Sequence, residues 1–317
     1  TLGGGAGRAT LEVAIFEALR VDLDFGRAAW LGLVQIAICA GVATLLHRAV
    51  QRSPVGRTSR LAVARPDAAD RHPQPLDGLV LAISAWLILP PLASVASGLS
   101  QIPAILDRDL ARAILTSLVI ASLSASAACL VALALAAEAR NKRLQRRRPG
   151  LAMIYDFLPA VVLAVPPFAL TAGLYLWIRR IADPVLAGYI LLPMINALGA
   201  LPFAYRFISP AVMIAGERYG RLSALLGLEG VTKVRIVTWP LLRRPLAAAF
   251  AMAMALSFGD FGVVALFGGG ELRTLPSLLN EPLGAYRHEE APAIGLLLVA
   301  IAFALAYAAS GWSDARR

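Results

Sequence analysis

Charge is the first scarcity. Asp, Glu, Lys and Arg make up 16% of the 317 residues, where a soluble globular domain carries about a quarter. That is too little to cover a soluble surface. Cysteine is scarcer still: Cys39 and Cys129 both lie inside apolar runs and read as small packing residues. A disulfide framework or a zinc site needs ligand-type neighbours in loops, and neither cysteine has them. His47, His72 and His288 are scattered and pair with no carboxylate at metal spacing. The sequence has no GxxxxGK[ST] phosphate loop, no paired carboxylates, and no Ser or Cys beside a base. It therefore does not read as a nucleotide hydrolase or other enzyme acting alone. No basic stripe is interleaved with aromatics, so the net charge of +10 does not describe a nucleic-acid surface. The opening TLGGG has no Met, charged segment or cleavage site. It reads as the middle of a loop in something longer, not as a signal peptide.

What is abundant is apolar length. Hydrophobic residues reach 58%, in runs of the ~20 residues that a helix needs to cross a hydrocarbon core. Barrel strands would alternate polar and apolar residues. The stretch SLVIASLSASAACLVALALAA at 117–137 does not alternate. The chain is thus expected to be an all-α, polytopic transmembrane helical bundle. Seven spans are expected at 28–46, 78–99, 113–137, 152–178, 185–207, 245–267 and 291–312. The Ser and Ala run at 121–134 reads as a helix-packing face.

Basic residues set the expected orientation, because Lys and Arg stay on the cytoplasmic side. Alternate loops hold 21 of the 30 basic residues, with Arg48–Arg71, Arg140–Arg148, Arg206–Arg244 and Arg316–Arg317 as their clusters. This places the N-terminal segment outside and the C-terminus inside, with Arg179–Arg180 against the trend. The positive charge then serves topology and contact with anionic membrane lipid.

Residues 47–76 are rich in Arg, Pro and Asp without a sustained period, and read as a cytoplasmic linker. The segments on either side of it are related. GGG at 3–5 followed by Thr10–Leu11 matches GGG at 268–270 followed by Thr274–Leu275. In both copies a mixed acidic segment and an apolar span follow, at an offset of 264 residues. Two copies in one orientation imply a pseudo-twofold axis along the membrane normal. Residues 1–46 then read as the last outer loop and final span of a first half otherwise missing, and 77–317 as a second half of six spans.

The longest inner loop after the linker, 208–244, carries the main motif. Ser209–Pro210 reads as a helix start, and Gly227 as the left-handed cap that closes that helix. VTKVRIVT at 231–238 has strand propensity, but a lone strand would leave its edges unpaired, so a helix is preferred. Gly227, then nine residues, then Val237, one residue, Trp239 and Pro240 resembles the loop signature of ABC importer permeases. In that family the pattern runs E-A-A, three residues, G, nine residues, I-x-L-P. The chain departs from it at Arg221, Leu222 and Ser223, which occupy the E-A-A positions, and at Trp239. LGLEG at 226–230, RRPLAAAFA at 243–251, LSFGDFGVVALFGGGELRTLP at 256–276 and Tyr286–Arg287 are similar to the C-terminal half of the permeases of bacterial thiamine ABC importers. Pro90–Pro91 and AVPP at 164–167 fit the same family, and the resemblance covers essentially the whole chain.

The resemblance implies a type I ABC importer permease fold in the bacterial cytoplasmic (inner) membrane. It implies a homodimeric ATP-binding cassette ATPase beneath, and a periplasmic solute-binding protein that delivers thiamine or its phosphates. ATP and magnesium would sit on the ATPase, with no cofactor on this chain. The residues that would couple to the ATPase are Arg221, Ala224, Leu225, Gly227, Leu228, Glu229 and Pro240. A two-half permease for another cargo, such as ferric iron, is the nearest alternative. A secondary transporter or membrane-embedded enzyme is the alternative of a different class.

Asp260, flanked by Gly259, Phe261 and Gly262, is the most expensive residue to place in a span. Two readings stand side by side. In one, its carboxylate borders the translocation pathway and suits a cationic cargo. In the other, it anchors closely packed helices, with the glycines allowing approach. Asp156 reads as interfacial, at the cytoplasmic end of its span. Pro90–Pro91 and Pro166–Pro167 are expected to kink their helices.

Overall fold

A computed structural model describes residues 10–20, 22, 24–52, 75–144, 149–165, 167–267, 272–284 and 291–314. Among these residues there are helices and turns and no strand. Five helices are long and apolar enough to cross a membrane, and two shorter apolar helical stretches, Leu151–Val162 and Ala291–Leu305, accompany them. The all-α polytopic expectation holds.

The elements are α1 (Leu11–Arg20), α2 (Phe25–Arg52), α3 (Pro75–Ala96), a 3-10 turn at Ser97–Gln101, α4 (Ile102–Ile105) and α5 (Arg108–Leu144). After them come α6 (Pro149–Ala164), α7 (Pro167–Ile178), α8 (Pro184–Glu217), α9 (Gly220–Leu225) and α10 (Gly230–Lys233). A π-helical turn at Val234–Thr238 leads into α11 (Trp239–Phe258), followed by α12 (Gly262–Phe267), α13 (Leu275–Gly284) and α14 (Ala291–Asp314). Carboxylates start two of the long helices. Asp107 Oδ1 accepts the Leu110 amide at 2.7 Å at the head of α5, and Asp24 Oδ1 accepts the Arg27 amide at 3.0 Å at the head of α2.

α5, α8 and α11 pack on one another and form the centre. Small residues let them approach: Ala121, Ser124, Ala125, Ala132 and Ala136 on α5 and Ala249 and Ala253 on α11 are completely buried. With no hydrophobic drive between helices in lipid, such close van der Waals contact is what holds them together. The Ser and Ala face expected at 121–134 is therefore the central packing face. α3, by contrast, shows most of its surface, with Trp86 77% exposed. An apolar helix bare on this scale suits contact with lipid.

A second apolar cluster joins the N-terminal pair to the rest. Ile15, Ala18 and Ala28 of α1 and α2 are buried with Ala172 of α7, Leu192 of α8 and Val263, Val264 and Phe267 of α12. The Arg179 guanidinium lies 4.5 Å from the centre of the Phe25 ring and adds a cation–π contact there.

Several boundaries differ from the sequence reading. α8 runs unbroken through Ser209–Pro210 to Glu217, so no helix starts there. Ile208 and Val212, buried in the central cluster, hold the helix across the proline. The expected span at 152–178 is two helices, α6 and α7, divided after Val165, with Pro166 outside the described residues. The expected span at 245–267 is also two, and its long part begins earlier, at Trp239. The 231–238 stretch is helical, as preferred. Pro90–Pro91 lie inside a continuous helix. GGG at 3–5 and 268–270, most of the 47–76 linker and Tyr286–Arg287 lie outside the described residues.

Candidate functional site

Two parts of the sequence were singled out, and α11 connects them. Its first residue, Trp239, follows the basic loop, and its last, Phe258, precedes Gly259–Asp260. A helix of 20 residues is about 30 Å long, so the two parts lie at opposite ends of one rod. They do not form a single pocket.

At the loop end, α9 closes on Gly227. The Leu228 amide donates to the Ser223 carbonyl at 2.8 Å and the Gly227 amide to the Ala224 carbonyl at 3.2 Å. These are the paired bonds of a Schellman cap. Gly227 has φ +63, the left-handed conformation that glycine adopts without penalty. Gly230, with φ +54, makes a second such turn three residues later. Sequence reasoning missed it, although the Gly-Leu-Glu-Gly spacing was the available signal. The two glycines fold the chain into short helices that present apolar side chains outward. Leu225 is 85% and Val231 82% exposed, and Leu222, Leu226, Val234, Ile236 and Trp239 are also bare. Arg221, Ala224, Glu229 and Pro240 are exposed and Leu228 is half-buried. Ser223, buried, turns α9 back by donating its hydroxyl to the Tyr219 carbonyl at 2.7 Å.

At the far end, α11 stops at Phe258 and the chain breaks helix through Gly259, Asp260 and Phe261. Asp260 is therefore not in the middle of a continuous helix, as the sequence reading had it. Its Oδ1 accepts the Gly262 amide at 3.0 Å and starts α12. The Asp260 amide donates to the Ser257 carbonyl at 3.3 Å, and Phe261 and Gly262 are half-buried beside it. The arrangement gives an N-cap to a short helix and leaves Asp260 Oδ2 available for a further contact. α12 packs on α7, where Phe267 meets Tyr175 edge to face at 5.6 Å. The two half-helices that follow the two interruptions thus stand side by side.

A third polar group ties α6 into the bundle at the loop end. Asp156 accepts from Arg143 at the end of α5 and from the hydroxyl of Tyr205 on α8. Sequence reasoning placed Asp156 at an interface and did not see these partners, which lie 13 and 49 residues away.

These features define the class: an all-α, multi-pass membrane protein with an exposed apolar loop at one end and a broken helix at the other. Over 308 residues, 96% of this chain, it is 35% identical to the thiamine transport system permease protein ThiP of Brucella abortus (strain 2308). It is 36% identical over 311 residues to the protein of that name in Escherichia coli (strain K12), and 33% identical over 312 residues to that of Haemophilus influenzae. The chain is homologous to part of these thiamine transport permeases. It spans about half the length of the curated relatives it matches, 56–57% of each. No protein-family model matches it.

Proposed function

We propose that the chain is the C-terminal part of the permease of an ATP-driven importer, moving thiamine or its phosphates across the bacterial inner membrane by alternating access. The permease itself is not an enzyme on this reading. A separate ATP-binding cassette dimer, holding ATP and magnesium, supplies the energy, and a periplasmic binding protein supplies the cargo. The single observation that carries the reading is the projecting segment 220–239. A cluster of bare leucine, valine, isoleucine and tryptophan side chains on two capped turns is costly in water and marks a protein contact. α11 then runs from that contact to the Asp260 break, so a push at one end is delivered to the other. The basic loops put this segment in the cytosol and the α1–α2 connection outside.

The two-half organisation is supported by the geometry of the repeat. α1 and α13 are each ten residues long and begin at Leu11 and Leu275. Thr10 Oγ1 accepts the Val13 amide at 3.4 Å, and Thr274 Oγ1 accepts the Ser277 amide at 3.4 Å. A long apolar helix follows each, α2 in one case and α14 in the other. Both caps fall at the 264-residue offset, which supports duplication over shared composition.

Reconstitution of the full permease in liposomes, with ATPase and binding protein, tests the proposal. Thiamine entry that depends on ATP is expected. Ferric-ion entry without thiamine entry would transfer the mechanism to the other cargo, and solute entry without ATP would replace it with a secondary transporter.

A further inference from the structure

The centre of the bundle holds a second polar site that the sequence reading passed over. Asn196 of α8 is 7% exposed. Its Nδ2 donates to Ser257 Oγ at 2.9 Å and approaches the Ser257 carbonyl at 3.5 Å. The Ser257 hydroxyl donates to Ser124 Oγ at 3.0 Å, and the Ser124 hydroxyl donates to the Ile120 carbonyl at 2.7 Å. Each hydroxyl has one proton to give, so the relay runs one way, from α8 through α11 to α5. It ends on a carbonyl, which only accepts. Asn196 must therefore enter as a donor, and this fixes how its amide is turned.

The consequence is an oxygen left over. Asn196 Oδ1 is fully buried and has no hydrogen-bond partner among the described residues. Buried acceptors are seldom left so. The orphan lies close to Asp260, because the Asp260 amide donates at 3.3 Å to the same Ser257 carbonyl that Asn196 Nδ2 approaches. A carboxylate and an amide acceptor thus converge on the end of α11.

We propose that Asn196 Oδ1 and the Asp260 carboxylate form one cargo subsite for an organic cation that carries an N–H donor. The carboxylate opposes the positive charge, and the amide oxygen accepts the N–H. The proposal rests on the thiamine reading and deepens it, since thiamine joins a thiazolium cation to a pyrimidine amino group. The oxygen is sealed between helices in the present arrangement, so the subsite opens as α8 and α11 part during the transport cycle. Because the relay prevents the amide from turning, the subsite rejects a cargo without the N–H.

The test uses the complete permease with its ATPase and binding protein in liposomes. It compares entry of thiamine with entry of an analogue whose pyrimidine amino group is replaced by hydrogen. The binding protein is the same throughout, so a changed ratio reports on the permease. Asn196→Leu keeps the bulk and removes the acceptor, and is expected to reduce the preference for thiamine ~tenfold. Asn196→Asp keeps an oxygen and is expected to keep the preference. Equal loss of both cargoes in Asn196→Leu, with the ratio unchanged, overturns the subsite and leaves Asn196 a packing residue or the holder of a buried water. If Asn196→Leu does not reach the membrane, Ser257→Ala unties the relay and lets the amide turn. A preserved preference in that variant overturns the subsite as well. Absence of thiamine entry in the unaltered permease is a different failure, which sinks the functional reading itself.

Discussion

Gly98 and Ala293 meet backbone to backbone. A Cβ placed on Gly98 would lie 2.3 Å from the Ala293 nitrogen and 2.3 Å from the Pro292 carbonyl carbon. No rotamer relieves a clash with main chain, so the 3-10 turn and the first turn of α14 would have to separate. Gly98→Ala is expected to destabilise the bundle by about 1–3 kcal/mol, read as a lower unfolding midpoint in detergent. Gly173→Ala is the control, since nothing lies within 4 Å of a Cβ there. An equal midpoint for both variants would mean that the contact between turn and helix is slack.

The Arg143–Asp156–Tyr205 group has two unequal arms. Tyr205 is buried, and its hydroxyl donates to Asp156 at 2.5 Å. The Arg143 side chain is 47% exposed, so water competes for its charge. Tyr205→Phe is expected to cost roughly 1.5 kcal/mol, as a lost hydrogen bond to a charged acceptor does. Arg143→Ala is expected to cost less than ~1 kcal/mol, because an exposed ion pair is worth little. Unfolding midpoints of the two variants check the order. A larger loss from Arg143→Ala would show that this end of the bundle is drier than the exposure implies.

The contrast between these groups shows what the sequence could and could not reveal. The spans were legible because a lipid-crossing helix needs apolar length, and length is written in one dimension. Gly227 was legible because only a left-handed position makes a glycine at the end of a helix useful. The break at Gly259–Phe261 was hidden, since one Asp in an apolar run leaves hydropathy nearly unchanged. Ser209–Pro210 misled for the opposite reason. Its local signals were those of a helix start, but the burial of Ile208 and Val212 outweighed them. Asn196 was invisible because its partners lie 61 residues away on α11 and, through Ser257, on α5. A relay between helices leaves no period in any one of them.

Gly227 separates backbone demand from side-chain space. A Cβ there would meet nothing within 4 Å, yet φ is +63. Gly227→Val is expected to strain the cap by roughly 1–2 kcal/mol and to turn the exposed apolar side chains away from their partner. The ATPase should then co-purify at reduced stoichiometry while the permease remains abundant in the membrane. Gly220→Val is the control, because that position is open and carries no positive φ. It is also on α9, so equal loss of ATPase from both variants would assign the effect to added bulk and not to the left-handed turn.

Asp260 offers a way to part its two roles. Asp260→Asn keeps an oxygen that can accept the Gly262 amide, so the cap on α12 survives while the charge is lost. If the carboxylate opposes a cationic cargo, thiamine entry should fall about tenfold, the equivalent of ~1.4 kcal/mol, with membrane abundance unchanged. Asp260→Ala removes the cap as well and should lower both entry and abundance. A neutral variant that transports at the original rate would return Asp260 to a structural role. The break in α11 would then be a joint that needs a cap, with no charge to present.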